Sequence, residues 1–441
     1  MIVKNEARNL SRCLHSVRGL VDEAIVVDTG STDDTVAIAC QEGARVIHFP
    51  WINDFAAARN ESLRHCTGDW VLILDADETI DALDHALLRN SCQRPTSQAF
   101  QIGIRNYHTS GGFCVHDVMA QENHSNYREG SQYPFFVEIP GLRLCRRTQD
   151  LAFKGRVHEL LDPYFITRGI PIESLPGVVI HHFGKLEEAS ERGKSRAYLD
   201  LALEDLRLEP DNSQFHFNVV QQGMHAQDWP VVLESAEAYL RLRALVPSVV
   251  HFGAGQALQK LHRHREAVPH FKQILNVQSD HAPALAYLGI SLAALGKEGE
   301  AEHAFKQAMA INPRYALPSV KFADLLSKQG RDPEAKRVLQ QGIANNPSSP
   351  LMHSALLCLD LRNKDMEQAM EDARRALEAL PGAGEGLWHR LAALQAQQAG
   401  RIPEAIHILE AGVALFPGNA AVKEMRDAFA AHATAQEDPP R

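Results

Sequence analysis

Asp75 and Asp77 stand two residues apart where the apolar run Trp70-Val71-Leu72-Ile73-Leu74 stops, and Glu78 follows them. While a chain stays extended, residues two apart point to the same side, so both carboxylates would face one ligand. Two carboxylates so placed hold a hard divalent cation, which in turn binds a diphosphate. A departing diphosphate gathers negative charge, and a divalent ion stabilises that charge as a Lewis acid. A plainer alternative is that Asp77 or Thr79 caps a helix beginning near Ile80.

The elements that must position these carboxylates are legible around them. An apolar run without alternation suits a strand covered on both faces, and ligands of open α/β sheets bind beyond the carboxyl ends of such strands. Ile2-Val3 reads as the tail of a first strand, Ala24–Asp28 as a second, Arg45–His48 as a third and Trp70–Leu74 as a fourth. Helical patterns occupy residues 6–19, 35–42 and 54–66 between them, and Thr29–Asp34 is a tight turn rich in capping residues. This β-α alternation predicts a parallel sheet with right-handed crossovers. No Gly-x-Gly-x-x-Gly follows the first or second strand, which argues against a nicotinamide site. Gly193-Lys194-Ser195 is not a phosphate loop either, since position 188 is Glu and the segment reads as helix.

Four motifs in this order, Met1–Glu6, Val26–Asp33, Trp51-x-x-Asp54-Phe55-Ala56-x-x-Arg59-Asn60 and Asp75–Glu78, resemble a family 2 glycosyltransferase of GT-A fold fused to helical repeats. The resemblance covers roughly residues 1–185. It implies a nucleotide-sugar donor, usually a uridine diphosphate sugar, a Mg²⁺ or Mn²⁺ ion, and inversion at the anomeric carbon. It also implies that Asn5, Glu6, Asp28 and Ser31 line the nucleoside pocket and that Arg59 and Asn60 approach the nucleotide. Asp75 would face the ribose or the metal, and Asp77 would hold the metal. Further on, Val157-His158-Glu159 and His182-Phe183-Gly184 match segments that recur in the family in this order. By that likeness Glu159 is the general base, His158 the alternative base, and His182 a ligand for the metal or diphosphate. Taken singly, Arg59 is as consistent with a solvated helix face and Asp28 with a simple turn.

A first strand of about five residues is usual, yet the chain opens near that strand's end. Either residues precede Met1 or the edge of the nucleoside pocket is shortened. Residues 80–90 read as a helix, Ala99–Ile104 as a strand, and the polar stretch 105–135 as a wall on the acceptor side.

After Gly184 helical periodicity takes over. Pro313, Pro347 and Pro381 recur at the 34-residue period of tetratricopeptide repeats, and Leu285, Leu288, Gly289, Leu292, Ala301, Phe305 and Ala308 fill that pattern's key positions. The expected organisation is an α/β GT-A domain at 1–185, a connecting helix at 186–210 and an all-α repeat solenoid with its capping helix at 211–431. A disordered tail at 432–441 completes it.

Whole-chain properties bound the function. With 45% hydrophobic and 23% charged residues the composition is that of a soluble globular protein, and no apolar run reaches the ~20 residues of a membrane span. A formal charge of −10 argues against nucleic acid as the main partner. Seven scattered cysteines without a Cys-x-x-Cys pair suit reduced thiols in a cytoplasm. The expectation is an inverting, metal-dependent glycosyltransferase whose repeat groove selects a protein or peptide acceptor. A lipopolysaccharide-core or other glycan acceptor is the alternative within that class; a non-catalytic repeat scaffold with a decayed transferase domain is the alternative outside it.

Overall fold

Runs rich in β-branched residues alternate with amphipathic stretches through the first hundred residues, and the backbone follows them. The computed structural model describes residues 1–109, 114–115, 118–184 and 191–363, with scattered positions from 368 to 430. It begins with β1 (Ile2–Val3), α1 (Leu10–Ser16), β2 (Ile25–Asp28), α2 (Thr35–Gln41), β3 (Arg45–His48), α3 (Phe55–His65) and β4 (Trp70–Leu72). β1, β2 and β3 form a parallel sheet with β2 in the middle. All four residues of β2 are buried, as its unbroken apolar run requires. Asp54 caps α3 by accepting the Ala57 N–H at 2.8 Å, which starts the helix one turn before Arg59.

β4 departs from the expected parallel order. It pairs antiparallel with a long strand that arrives much later in the chain, Leu72 opposite Leu144. Next come β5 (Glu78–Ile80), a short 3-10 turn (Ala82–Asp84), α4 (His85–Cys92), β6 (Ala99–His108), β7 (Cys114–Val115), β8 (Val118–Met119) and β9 (Gln121–Glu122). β10 (Phe135–Arg146), α5 (Asp162–Ile166) and β11 (Glu173–His182) complete this part. The second sheet runs β4-β10-β6-β11-β5, with β9 also on β10. An apolar run reports burial and not the identity of the neighbouring strand, so the partner of β4 was not readable from its own residues.

The helix expected at 80–90 begins later, because Glu78–Ile80 is a buried strand paired with Ile180–His182. Asp81 caps the 3-10 turn through the Leu83 N–H. Neither Asp77 nor Thr79 caps a helix, which removes the plain reading of the acidic cluster. Residues 105–108 belong to β6, and Tyr107, Tyr127 and Tyr133 cluster with Phe136 and Phe183.

By compactness the chain divides into Met1–Ile274 and Leu275–Arg441. The first unit also contains α6 (Glu191–Leu208), α7 (Ser213–Ala226), α8 (Trp229–Leu242) and α9 (Ser248–Lys260), and α10 (His264–Val277) runs to the division. The second holds α11 (Ala282–Ala294), α12 (Glu298–Ile311), α13 (Ala316–Lys328), α14 (Asp332–Asn345) and α15 (Pro350–Arg362). Successive pairs open at Ser213, Ser248, Ala282, Ala316 and Pro350, about 34 residues apart as the repeat period demands. The expected final repeat, capping helix and tail fall mostly outside the described residues.

Within a repeat, small residues let the paired helices close. A Cβ on Gly289 of α11 would lie 2.6 Å from the Phe305 ring of α12. Overpacking of that kind costs about 1–3 kcal/mol, against roughly 1 kcal/mol gained in helix propensity by replacing Gly with Ala. Gly289→Ala should therefore lower stability in urea denaturation; a gain in stability would mean the helices are not in close contact there.

Candidate active site

A buried guanidinium organises the site. Arg59, on the second turn of α3, donates from its terminal amine to Asp75 Oδ1 at 2.7 Å and from Nε to Glu159 Oε1 at 2.5 Å. Its side chain is 10% exposed and that of Glu159 12%. Arg143 of β10 adds a second cation, 2.8 Å from Glu78 and 3.8 Å from Asp75. Burial pushes the Asp75 carboxyl upward, but Arg59 and Arg143 outweigh it and hold the group well below the usual carboxylate range. Glu78 shows the opposite balance: burial raises it despite Arg143.

The two aspartates go different ways. The backbone turns at Asp75, closed by the Glu78 N–H on the Asp75 carbonyl at 3.1 Å, and Glu78 accepts the Asp75 N–H at 2.9 Å. The chain is not extended here, so the two carboxylates do not share a side by simple alternation, although the charge of His182 bears on Asp75 as well. Asp75 turns to the arginines. Asp77 turns to His182, with Oδ2 3.2 Å from Nε2. Asn106 Oδ1 lies 2.8 Å from His182 Nδ1, so it takes that ring proton and leaves Nε2 facing Asp77. A Cβ on Gly184 would overlap the Asp77 carboxylate, so glycine is what permits this approach.

The residues expected to border a nucleoside form a network at the carboxyl ends of β1 and β2. Asn5 adopts a left-handed backbone (φ 59°), its N–H donates to Ser31 Oγ at 2.9 Å, and its side-chain oxygen accepts the Thr32 N–H at 2.7 Å. Asp28, 5% exposed, accepts the Ser31 and Gly30 N–H groups at 3.0 and 3.3 Å. Its carboxyl is lowered because these hydrogen bonds outweigh burial. Glu6 accepts from the Asn9 amide at 3.0 Å. α1 ties this edge to the acidic turn, since Cys13 Sγ donates to the Asp75 carbonyl and Ser16 Oγ accepts the Ile80 N–H.

Residues 1–148 match the family model for glycosyl transferase family 2, and residues 252–316 and 292–357 match tetratricopeptide repeat models. The chain carries a family 2 glycosyltransferase domain followed by tetratricopeptide repeats. A TPR repeat-containing protein of Synechococcus elongatus is 35% identical over 46% of this chain and 47% of its own length. The SPbeta prophage-derived glycosyltransferase SunS of Bacillus subtilis is 28% identical over 49% of this chain and 46% of its own. An uncharacterized glycosyltransferase of Rickettsia felis is 49% identical over 18% of this chain and 28% of its own. The chain thus spans about half, or less, of the length of these curated relatives.

Within the transferase domain two expected site residues are engaged elsewhere. The Asn60 amide donates to the Phe153 carbonyl at 3.1 Å and accepts the Phe153 N–H at 2.8 Å. It holds the segment leading to Glu159 and gives both ends of its amide to that backbone. His158 sits in a left-handed conformation (φ 52°), and its Nε2 accepts from the Gln222 amide of α7, which turns this nitrogen from the carboxylates. Arg143 and Asn106 are participants that motif reading missed, while Glu78 and Gly184 stood inside the motifs without a role. Arg143 did leave a signal, a lone charge among Leu142, Leu144 and Cys145.

Arg59→Met leaves Asp75 and Glu159 without the cation between them. Breaking a buried pair costs about 3–5 kcal/mol, and the 35% exposure of Asp75 places this one toward the lower bound. In the parent, Asp75 contributes stability above the ordinary carboxylate pKa of about 3.9 and loses it as pH falls toward its depressed native value. Without Arg59 the Asp75 carboxyl loses its largest cation and keeps Arg143, so less of that contribution remains and the variant's deficit should narrow as pH falls from about 4 toward the depressed native value. Urea denaturation across that range checks both statements; a variant whose deficit is constant with pH would contradict them.

Proposed function

We propose that the chain transfers a sugar, with inversion, from a nucleotide diphosphate sugar to an acceptor selected through its repeats. The Asp75–Arg59–Glu159 ion chain beside the Asp77–His182 pair is the observation that carries this reading. Asn5, Glu6, Asp28 and Ser31 border the nucleoside, and Arg59 holds Asp75 toward the ribose. A uridine nucleotide is the first choice, as in the resembling family.

Asp77 and His182 are the residues that would hold a divalent metal. Their donor set fits one: a carboxylate oxygen adjoins an imidazole nitrogen whose other ring nitrogen is anchored by Asn106, and Gly184 keeps the approach open. An imidazole beside a carboxylate favours Mn²⁺ over Mg²⁺, which prefers oxygen ligands. When bound, the ion supplies Lewis-acid stabilisation of the departing diphosphate.

In the displacement, the acceptor oxygen attacks the anomeric carbon from the face opposite the diphosphate, whose bond to that carbon breaks. Glu159 receives the acceptor proton. A tetratricopeptide array offers a surface for a peptide or protein, which favours that acceptor over a glycan. Among the described residues no helix is long and apolar enough to cross a membrane. The intact charges of the site argue against a decayed domain, since unused buried carboxylates and guanidiniums are costly to keep.

The 2.5 Å bond between Arg59 and Glu159 favours one second reading, in which Glu159 is only a strut for Arg59. Glu159→Gln separates them. As the base, it should lose about 10²–10⁴-fold in transfer to a hydroxyl acceptor while donor affinity survives. As a strut, it should lose donor affinity and stability together.

For the metal, Asp77→Asn should abolish Mn²⁺-dependent nucleotide release from donor, and Gly184→Ala should weaken Mn²⁺ binding in calorimetry. Mn²⁺ affinity unchanged in both variants would place the ion elsewhere.

A further inference from the structure

The Glu159 loop is held from two sides, and one side is helical repeat. Lys154 and Leu160 exchange backbone hydrogen bonds at 3.0 Å in both directions, closing a short loop with Gly155 to Glu159 at its tip. The transferase domain grips that loop through Asn60 on Phe153, Phe55 N–H on the Arg156 carbonyl at 2.9 Å, and Arg59 on Glu159. The helices grip it as firmly. Asp205 of α6 accepts the Arg156 N–H at 2.6 Å, Asn218 of α7 donates to the Val157 carbonyl at 3.3 Å, and Gln222 of α7 donates to His158. Val157 is buried in a cluster with Leu199, Ala202 and Val219 from the same two helices.

These contacts matter because the loop does not have a relaxed backbone. His158 is a non-glycine residue in the left-handed region, a strained conformation that persists only where its surroundings impose it. Its two peptide neighbours are Val157, bonded by Asn218, and Glu159, bonded by Arg59. Release of His158 from Gln222 frees the backbone to relax, and Glu159 is the next side chain along.

We infer that α7 is part of the active-site machinery: Gln222 and Asn218 are positioning residues that hold His158 and Val157 so that Glu159 faces the reacting centre. The first helical repeat thereby completes the site, in addition to whatever the later repeats bind. This rests on Glu159 acting as the base.

The test uses the full chain and Gln222→Met, which keeps side-chain volume and removes the amide. Transfer should fall about 10- to 100-fold, the effect expected of a displacement near 1 Å, while the dissociation constant for the nucleotide sugar stays the same. Hydrogen exchange of the amides from residue 154 to 160 should speed up about tenfold or more. Gln222→Met combined with Glu159→Gln should be no slower than Glu159→Gln alone, since both act through one carboxylate. Gln222→Glu, which keeps the length and accepts from an N–H form of the ring, should recover most of the rate; a rate as low as that of Gln222→Met would overturn the hydrogen-bond argument. Normal turnover and normal exchange in Gln222→Met, with Glu159→Gln inactive, would overturn the inference alone. Full activity in Glu159→Gln would overturn the base assignment, and the exchange rates would still decide whether α7 holds the loop.

Discussion

One guanidinium shared between two carboxylates is the constraint on which the rest of this site depends. Arg59 is buried, so its charge must be neutralised where it lies, and Asp75 and Glu159 do so from two well-separated points later in the chain. Asp75 comes from the turn after β4 and Glu159 from a loop more than eighty residues later. The cation therefore links the donor-side acidic turn to the proposed proton acceptor. Its own placement follows from the Asp54 cap and from Asn60, one residue on, which clasps Phe153. A short stretch of α3 thus carries the cap, the cation and the clasp.

This arrangement divides labour between two carboxylates that look equivalent in the chain. Asp75 is stabilised by the permanent cations Arg59 and Arg143. Asp77 faces an imidazole whose orientation is set by Asn106, the pair to which we assign the metal. The division arises from the tight turn at 75–78, which Glu78 closes from inside the fold with help from Arg143.

Much of this was legible in the residues. The unbroken apolar character of β2, the helical pattern at 54–66 and the 34-residue proline spacing led directly to the observed elements. The resemblance marked Arg59, Asp75, Asp77, Glu159 and His182, and the structure brings Arg59 to both Asp75 and Glu159 and Asp77 to His182. What could not be read was long-range partnership. β4 shows burial but not that β10 is its neighbour, and Asn60 looks like a ligand until the Phe153 backbone is seen in its grasp. Residues 186–210 read as a connector because their periodicity says helix and nothing more. In the fold α6 packs with α7 around Val157, so the helical region begins its work inside the transferase unit.

The nucleotide site that we propose at the strand ends works with a divalent ion at Asp77 and His182. Calorimetric titration of uridine diphosphate into the full chain, with Mn²⁺ and then with EDTA, addresses it most directly. Saturable binding is expected with Mn²⁺ and should weaken by about tenfold or more in EDTA, as loss of a charge-bridging ion should produce. Equal affinity in the two conditions would contradict it.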